Sequence, residues 1–344
     1  MPIPLAVRLV DTFPFSEPYE ADLLLLKLEA EDGLVDRWII VENSYTFQGA
    51  YKGLHAADLI AGDDRFAPYR DRIQVITADR PLTPPDHGGG RDTDAFEHER
   101  WQRDLAMADV LALDDDTWVF CSDTDEHLDG RDDRRRAALD TLLTNGDTIV
   151  DIPFIRYWYD IDNRYEPILG CAAVRVGHLR AGTTVGAVRQ GRNLQLPSAS
   201  DADVIGFEYS SCLPTDEVMR KLDTQAHAGY SRDDLLAALR CNRRPASAAW
   251  GDRVRRTPHW FFDRVELTPW NSPASIRDDP DRLRTGIVDP AYEANRRSEH
   301  PELYGVRGVL TTAGDRVRSA STAGRRLGRR AVHKARRSVS RRSA

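Results

Sequence analysis

Short apolar runs that stop at polar residues alternate with amphipathic segments along the first half of the chain. Runs of this length predict buried strands, at residues 5–10, 37–41, 73–76, 117–121 and 147–153. Apolar residues that recur every three or four positions predict helices, at residues 18–31, 97–113 and 132–145. Because strands alternate with helices, the pattern predicts an α/β fold with a mostly parallel central sheet and helices on both faces.

The pattern is less regular after residue 154. Short strands are predicted at residues 171–176 and 204–209, and helices at residues 214–227 and 232–241. From residue 242 to residue 304, proline, arginine and aspartate are frequent and periodicity is weak. We expect this part to form loops and short helices that wrap the sheet.

Charge divides the chain into an acidic body and a basic tail. The net charge is −7, but residues 316–344 contain ten arginines, one lysine and no acidic residue. The tail therefore carries +11 and the rest of the chain −18. An acidic body argues against nucleic-acid binding by the main domain.

Small and apolar residues recur every three or four positions between residues 317 and 339 of the tail. As a helix, this segment would have a thin apolar stripe and a basic face, which can lie on an anionic membrane surface. The alternative is a disordered basic tail without a specific partner. Nucleic acid is a third, less favoured partner for the tail.

Cysteine usage and hydropathy indicate the compartment. The four cysteines are far apart and form no Cys-x-x-Cys pair, as expected for reduced thiols rather than a disulfide framework. No apolar run is long enough to span a bilayer, and the N-terminus lacks the features of a signal peptide. We expect a cytoplasmic protein, with the tail in peripheral contact with the inner membrane face.

The strand predicted at residues 117–121 is followed directly by Ser122-Asp123-Thr124-Asp125-Glu126. Ligands bind outside the carboxyl ends of strands in open α/β sheets, and carboxylate oxygens suit Mg²⁺ or Mn²⁺. The motif therefore predicts a metal site that neutralises a diphosphate, with Asp125 at a solvent-facing strand end. The alternative is a solvated acidic turn.

Several motifs in a fixed order resemble glycosyltransferase family 17, the family of β-1,4-mannosyl-glycoprotein 4-β-N-acetylglucosaminyltransferase. The matching segments are residues 10–15, 20–24, 35–49, 99–103, 122–126 and 206–210, followed by Lys221-Leu222 and His227. The resemblance covers roughly residues 5 to 230. Glu208 departs from the family pattern, which tends to have histidine there, so a carboxylate could replace that histidine or the acceptor could differ.

The resemblance implies a GT-A type fold and a metal-dependent glycosyltransferase, expected to invert the anomeric centre. A nucleotide-sugar-binding half would cover residues 1–153, an acceptor-binding half residues 154–305, and the tail residues 306–344. The donor would be a UDP-sugar, with N-acetylglucosamine as the expected sugar. The acceptor would be a glycan or a lipid-linked sugar.

Within this resemblance, Asp123 and Asp125 are the predicted ligands of Mn²⁺ or Mg²⁺, and His227 is a candidate third ligand. Asp123 could instead hold the ribose. Arg103 lies on the helix before the acidic strand, so it could bind the diphosphate or form an ion pair with Asp123. Since the ion can stabilise charge on the leaving group, the motif predicts electrostatic catalysis.

Six further carboxylates have candidate roles. Asp11 and Glu42, at predicted strand ends, could contact the base and ribose or cap the next loop. Glu208 is the favoured general base, with Asp216 and Glu217 as alternatives that could equally be first-turn helix residues. Glu126 could act in catalysis or sugar binding, or simply begin the next turn.

Two other classes of protein remain open. A haloacid dehalogenase-type phosphatase also has a strand that ends in Asp-x-Asp, but it needs Thr or Val where this chain has His127, and it carries the motif on its first strand. A non-catalytic carbohydrate-binding protein with a decayed site is the other alternative. The presence of Asp123, Asp125 and Arg103 argues against decay.

Overall fold

The computed structural model describes residues 5–82, 93–164, 168–191, 204–226, 231–243, 262–268 and 271–299. The strands of these residues belong to one ten-stranded sheet. In chain order they are β1 (Leu9–Pro14), β2 (Arg37–Asn43), β3 (Ile73–Ala78), β4 (Trp118–Cys121), β5 (Glu126–Leu128), β6 (Ile149–Trp158), β7 (Asn163–Arg164), β8 (Ile168–Arg175), β9 (Gly206–Ser210) and β10 (Asp263–Arg264).

The described helices surround this sheet. In chain order they are α1 (Ala21–Glu31), α2 (Ala56–Gly62), α3 (Thr93–Asp104), α4 (Met107–Leu111), α5 (Asp133–Thr144), α6 (Val176–Arg180), α7 (Val185–Gln190), α8 (Thr215–Thr224), α9 (Arg232–Cys241), α10 (Ala274–Asp278) and α11 (Tyr292–Glu299). Short 3₁₀ turns precede α1 and β3. None of the helices in these residues is long and apolar enough to cross a membrane.

The sheet is mixed, which corrects the prediction of a mostly parallel one. Its main path runs β10-β7-β6-β8-β4-β1-β2-β3, and β9 pairs with both β5 and β6. The strands β3, β2, β1 and β4 are mutually parallel, whereas β8 is antiparallel to both β4 and β6. Residues 159–167 connect β6 to β8, and this connection is shorter than the crossover that a parallel return would need.

The order in which the parallel strands are added to the sheet changes side between β1 and β4. Successive parallel strands run outward from β1 to β2 and β3, whereas β4 lies on the other side of β1. Such a switch point leaves a crevice at the carboxyl ends of the strands, where α/β proteins bind ligands. The acidic motif follows β4 and therefore lies at this crevice.

Alternate residues of β4 pack into two cores, one on each face of the sheet. Trp118 and Phe120 belong to a cluster with apolar residues of α1 and α5. Val119 and Cys121 belong to a second cluster with residues of α4, α6 and α7. The side chains of a strand alternate between the two faces of its sheet, so these two clusters lie on opposite faces. Helices therefore cover both faces of the central sheet, as predicted.

Three predicted boundaries differ from the structure. The first strand runs from Leu9 to Pro14 rather than over residues 5–10, so Asp11 lies within the strand and not at its end. The helix predicted at residues 97–113 is two helices, because Leu105 and Ala106 form shorter 3₁₀-type hydrogen bonds to Gln102 and Arg103. The predicted division between residues 153 and 154 falls inside β6.

Candidate functional site

The acidic motif forms a tight turn that connects β4 to β5. The N–H of Ser122 donates to the carbonyl of Thr12 at 3.2 Å, which ties the turn to β1. The N–H of Glu126 donates to the carbonyl of Asp123 at 3.0 Å, and the N–H of Asp123 donates to Oε2 of Glu126 at 2.8 Å. This reciprocal pair fixes Asp123 and Glu126 relative to each other. The motif lies on the fourth strand, not the first, which disfavours the phosphatase alternative.

Asp123 lies between two arginines from different helices. Arg103 on α3 donates to Oδ1 of Asp123, and Arg189 on α7 donates to Oδ2. Both arginine side chains are buried, whereas a third (33%) of the Asp123 side chain is exposed. Burial alone would lower the pKa of Arg103, but attraction to Asp123 and Glu99 raises it. Of the two candidate roles of Arg103, the structure places it in the ion pair.

Glu126 is enclosed by protein groups. Nη1 and Nη2 of Arg189 donate to its two carboxylate oxygens at 2.7 and 2.8 Å, and the thiol of Cys171 on β8 lies 2.7 Å from Oε2. Its exposed fraction is 1%. This position gives Glu126 a role in holding the turn together, and it does not support the direct catalytic or sugar-binding role predicted for it.

Asp125 is buried against a lysine of α8, which corrects the expectation of a solvent-facing side chain. Nζ of Lys221 lies 2.5 Å from Oδ2 of Asp125, and the two side chains are 14% and 10% exposed. Burial alone would lower the pKa of Lys221, but the charges of Asp125 and Glu20 raise it. Lys221 is therefore a cation that occupies the carboxylate predicted to bind metal.

Glu20 lies behind the turn, at the start of α1. Its Oε2 accepts hydrogen bonds from the N–H of Ser16 at 2.9 Å and from the hydroxyl of Thr124 at 3.4 Å. Burial raises the pKa of Glu20 to about 7, although the charge of Lys221 opposes this shift. The carboxyl of Glu20 therefore changes protonation close to neutral pH.

A fully buried lysine supports the turn from the core. Nζ of Lys27 on α1 donates to the carbonyl of Glu126 at 2.5 Å and to the hydroxyl of Ser122 at 3.0 Å. It also pairs with Asp11 at 2.7 Å and Glu31 at 3.0 Å, and all three side chains have no exposed surface. Burial raises the pKa of Asp11, and Glu31 adds to this shift. The position of Asp11 supports a structural role and not the predicted contact with a nucleotide.

Glu42 caps the helix α2. Capping is one of the two roles that the sequence allowed for it, and the other is contact with a nucleotide. Its carboxylate accepts hydrogen bonds from the N–H groups of His55 and Ala56 at 2.9 Å each, where α2 begins. Lys52 lies 3.0 Å from Oε1. Because these groups surround the fully buried side chain of Glu42, its position does not support direct contact with a base or ribose.

Glu208, the predicted general base, is on β9 directly opposite Glu126 of β5. Nη2 of Arg156 lies 2.7 Å from Oε2 of Glu208, and the hydroxyl of Ser210 donates to Oε1. The exposed fraction of Glu208 is 6%. The alternatives Asp216 and Glu217 lie in the first turn of α8.

The acidic turn offers part of what a divalent cation requires. Within the residues that the structure describes, no group of three or more His, Cys, Asp or Glu is arranged to hold a metal ion. His227, the candidate third ligand, lies outside those residues. Mg²⁺ often takes only one or two carboxylates and completes its shell with substrate phosphates and water. The turn supplies two such carboxylates, Asp123 and Asp125, and both are already paired with basic side chains.

An opening lies at the carboxyl ends of β1 and β2. Two of its wall residues, Gln102 on α3 and Thr224 on α8, lie close in sequence to side chains that contact the acidic turn. Gln102 precedes Arg103, and Thr224 is one turn after Lys221. The lining residues are Phe15, Ser16, Tyr45, Thr46, Phe47, Lys52, Gln102 and Thr224. Three aromatic rings and several polar groups thus converge beside the acidic turn.

Two charged residues of the site were not found from the sequence. Lys27 lies among the buried leucines of α1, and a lone lysine among apolar positions is a signal for a buried ion pair. Arg189 lies in α7, a segment where no element was predicted. Its link to Glu126 spans 63 positions, so no local pattern could reveal it.

Comparison with known proteins finds a weak likeness among solved structures. No protein-family model matches the chain, and no curated protein sequence matches it. The galactosyltransferase LgtC, solved in complex with donor and acceptor sugar analogs, is similar at 13% sequence identity and a TM-score of 0.29. The likeness covers 64% of this chain and 84% of that chain. At this level, membership of glycosyltransferase family 17 stays a prediction.

Proposed function

We propose that this protein is a glycosyltransferase that takes a nucleotide sugar as its donor. The observation that carries the proposal is the convergence of Arg103, Arg189 and Lys221, from three helices, on the carboxylates at the end of β4. Of these cations, Lys221 is the one that can pair with a diphosphate, because phosphate oxygens bind ammonium groups, whereas the two arginines hold the Asp123 carboxylate. The family 17 motifs support the same class of donor.

The nucleoside would bind at the ends of β1 and β2, where the small opening would have to widen to admit it. Tyr45 is partly exposed there and offers apolar surface for a base, whereas Phe15, Phe47 and Gln102 are buried in the wall. In this arrangement the predicted donor half, residues 1–153, supplies every residue of the opening except Thr224. We propose UDP as the nucleotide, as the family resemblance implies.

Asp123 and Asp125 would hold Mn²⁺ or Mg²⁺ once the donor brings its phosphate oxygens, and His227 is the proposed third ligand. The ion would supply positive charge that stabilises the leaving diphosphate. Arg103 and Arg189 orient the Asp123 carboxylate through their ion pairs. Lys27 and the reciprocal hydrogen bonds of Glu126 hold the turn itself in place.

Glu208 is the proposed general base, which would accept the proton of the acceptor hydroxyl during an inverting transfer. Its neighbours Arg156 and Ser210 orient the carboxylate. The proposed acceptor half is residues 154–305, and a glycan or lipid-linked sugar is the proposed acceptor. The basic tail would bring the protein to an anionic membrane at the cytoplasmic face.

A thermal-shift screen of nucleotide sugars, with and without Mn²⁺, tests the proposed class. One donor should raise the melting temperature when Mn²⁺ is present, because a ligand that binds only the folded state stabilises it. Stabilisation by free sugars but by no nucleotide sugar would instead favour a carbohydrate-binding protein. Release of inorganic phosphate from a phosphomonoester would favour the phosphatase alternative.

Asp125→Asn should abolish Mn²⁺-dependent binding of UDP and sugar transfer, because it removes a proposed ligand charge. Circular dichroism should show that the variant is folded. Asp223→Asn is a matched control, since Asp223 is an exposed aspartate of α8 close to Lys221. Full Mn²⁺-dependent activity in Asp125→Asn would overturn the metal assignment.

Glu208→Gln should lower the rate of transfer about a hundredfold with little change in donor affinity, as expected for loss of a general base. Asp216→Asn and Glu217→Gln test the two alternatives in the same assay. Equal losses of transfer rate and donor binding in Glu208→Gln would make Glu208 a structural residue instead.

A further inference from the structure

Lys221 and a divalent cation cannot occupy the same carboxylate oxygen. Nζ of Lys221 lies 2.5 Å from Oδ2 of Asp125, in a pair that is largely shielded from water. Two unlike charges at this distance attract strongly where water is scarce. A metal ion at Asp125 would meet the positive charge of Lys221, so the ion binds more tightly when Lys221 moves away.

Lys221 can move more easily than the arginines that hold Asp123. It is a single ammonium group on a flexible stem and contacts one oxygen of Asp125. Arg189 is held by Asp123 and by both oxygens of Glu126, and Arg103 by Asp123 and Glu99. Of the three cations in this cluster, Lys221 therefore breaks the fewest contacts when it exchanges its partner.

A diphosphate offers Lys221 such a new partner. Phosphate oxygens bind lysine ammonium groups, and the diphosphate of the proposed donor would lie at the carboxyl end of β4, beside Asp125. Transfer of Lys221 from Asp125 to a phosphate would expose the carboxylate to metal and place a negative group next to that metal. Both changes favour the ion only when the diphosphate is bound.

We infer that Lys221 is a tethered counter-ion that keeps metal from Asp125 until a nucleoside diphosphate binds, so that metal and diphosphate binding depend on each other. This inference rests on the proposed function, because it assumes a metal and diphosphate site at Asp125. Coupling of this kind is reciprocal: the diphosphate raises metal affinity by the same factor by which metal raises diphosphate affinity.

The test measures the affinity of the full chain for Mn²⁺ by electron paramagnetic resonance, without nucleotide and with saturating UDP. The Mn²⁺–UDP complex in buffer is measured separately and subtracted. Wild type should bind Mn²⁺ at least tenfold more tightly with UDP. Lys221→Met should bind Mn²⁺ at least tenfold more tightly than wild type without UDP, and UDP should then raise its Mn²⁺ affinity by a clearly smaller factor.

Arg264→Met is the matched control, because Arg264 on β10 also pairs with a carboxylate, that of Asp162, at 2.6 Å, and takes no part in the proposed donor site. It should leave Mn²⁺ affinity without UDP unchanged. Lys221→Gln, which keeps a polar side chain, replaces Lys221→Met if thermal melting shows that the methionine variant does not fold. The glutamine variant should gain nucleotide-free Mn²⁺ affinity in the same direction.

The outcomes separate the inference from the proposed function. If wild type binds Mn²⁺ with UDP but the Lys221 variants have the affinities of wild type under both conditions, the tethered counter-ion is overturned and the proposed function stands. Equal gains in Lys221→Met and Arg264→Met would also overturn it, since the effect would be one of net charge. If wild type binds neither UDP nor Mn²⁺, the proposed function fails and the inference fails with it.

Discussion

Two lysines contact the acidic turn, and they differ in how deeply they are buried. Lys27 on α1 has no exposed surface and reaches Asp11, Glu31, Ser122 and the backbone of Glu126. Lys221 on α8 is 14% exposed and pairs with one oxygen of Asp125. The first lysine has several partners inside the core, and the second has one partner beside the crevice.

This difference shows how similar ion pairs serve different purposes in one site. Removing either partner from a fully buried pair leaves a buried charge without its counter-ion. The buried network is therefore needed for stability of the fold. A pair at an opening can trade its partner for a ligand or for water. We therefore assign Lys27 to stability and Lys221 to binding, and substitutions at pairs of different exposure test that division.

Lys27→Met should cause the largest loss of stability. It leaves Asp11 and Glu31 buried without their counter-ion, which costs about 3–5 kcal/mol of unfolding free energy. Urea denaturation at neutral pH measures this loss. The triple variant Lys27→Met, Asp11→Asn, Glu31→Gln removes the stranded charges and should regain part of the stability. A loss below about 1 kcal/mol in Lys27→Met would contradict the buried network.

The order of strands and helices along the chain could be predicted because it depends on local patterns. The strand at Trp118 and the helices that became α5, α8 and α9 lie within a few residues of their predicted bounds. The first strand was placed too early because a carboxylate at Asp11 normally ends a buried run. Lys27 makes that carboxylate tolerable inside the strand, and nothing near Asp11 in the sequence shows this.

Apart from Arg103, the charge partners of the site could not be predicted, because they come from distant parts of the chain. Ser122 and Lys27 are 95 positions apart, and Asp125 and Lys221 are 96 positions apart. The sequence located the carboxylates of the acidic turn, but only the fold shows that each is already paired with a base. The direction of β8 was missed for a similar reason, since pairing between strands is a long-range property.

The second largest effect is expected for Glu20, because its protonation makes the stability of the fold depend on pH. Its pKa of about 7 lies above the ordinary value of 4.5, so the folded state binds this proton more tightly than the unfolded state. Stability contributed by Glu20 is therefore present at acidic pH and is lost as pH rises through about 7. The charges facing it are Lys221, Asp125 and Asp123.

Urea titrations between pH 5 and pH 8 test this shift. Relative to Glu20→Gln, which cannot ionise, wild type should lose about 3 kcal/mol of unfolding free energy across this range. The glutamine variant keeps a hydrogen-bonding side chain, so it serves as its own structural control. Parallel curves for the two proteins would show that Glu20 is ionised throughout and that its pKa is not raised.

An ion pair on the open surface should have the smallest effect and completes the comparison. Arg65 and Asp22 lie 2.7 Å apart, as close as Lys27 and Asp11, but their side chains are 53% and 63% exposed. Water and salt screen such a pair, so Asp22→Asn should change the melting temperature by less than about 1 °C. Differential scanning calorimetry of this variant beside Lys27→Met compares two pairs of equal length that differ in exposure. If Asp22→Asn were as destabilising as Lys27→Met, distance rather than burial would set the strength of these pairs, and the separate roles assigned to Lys27 and Lys221 would lose their physical basis.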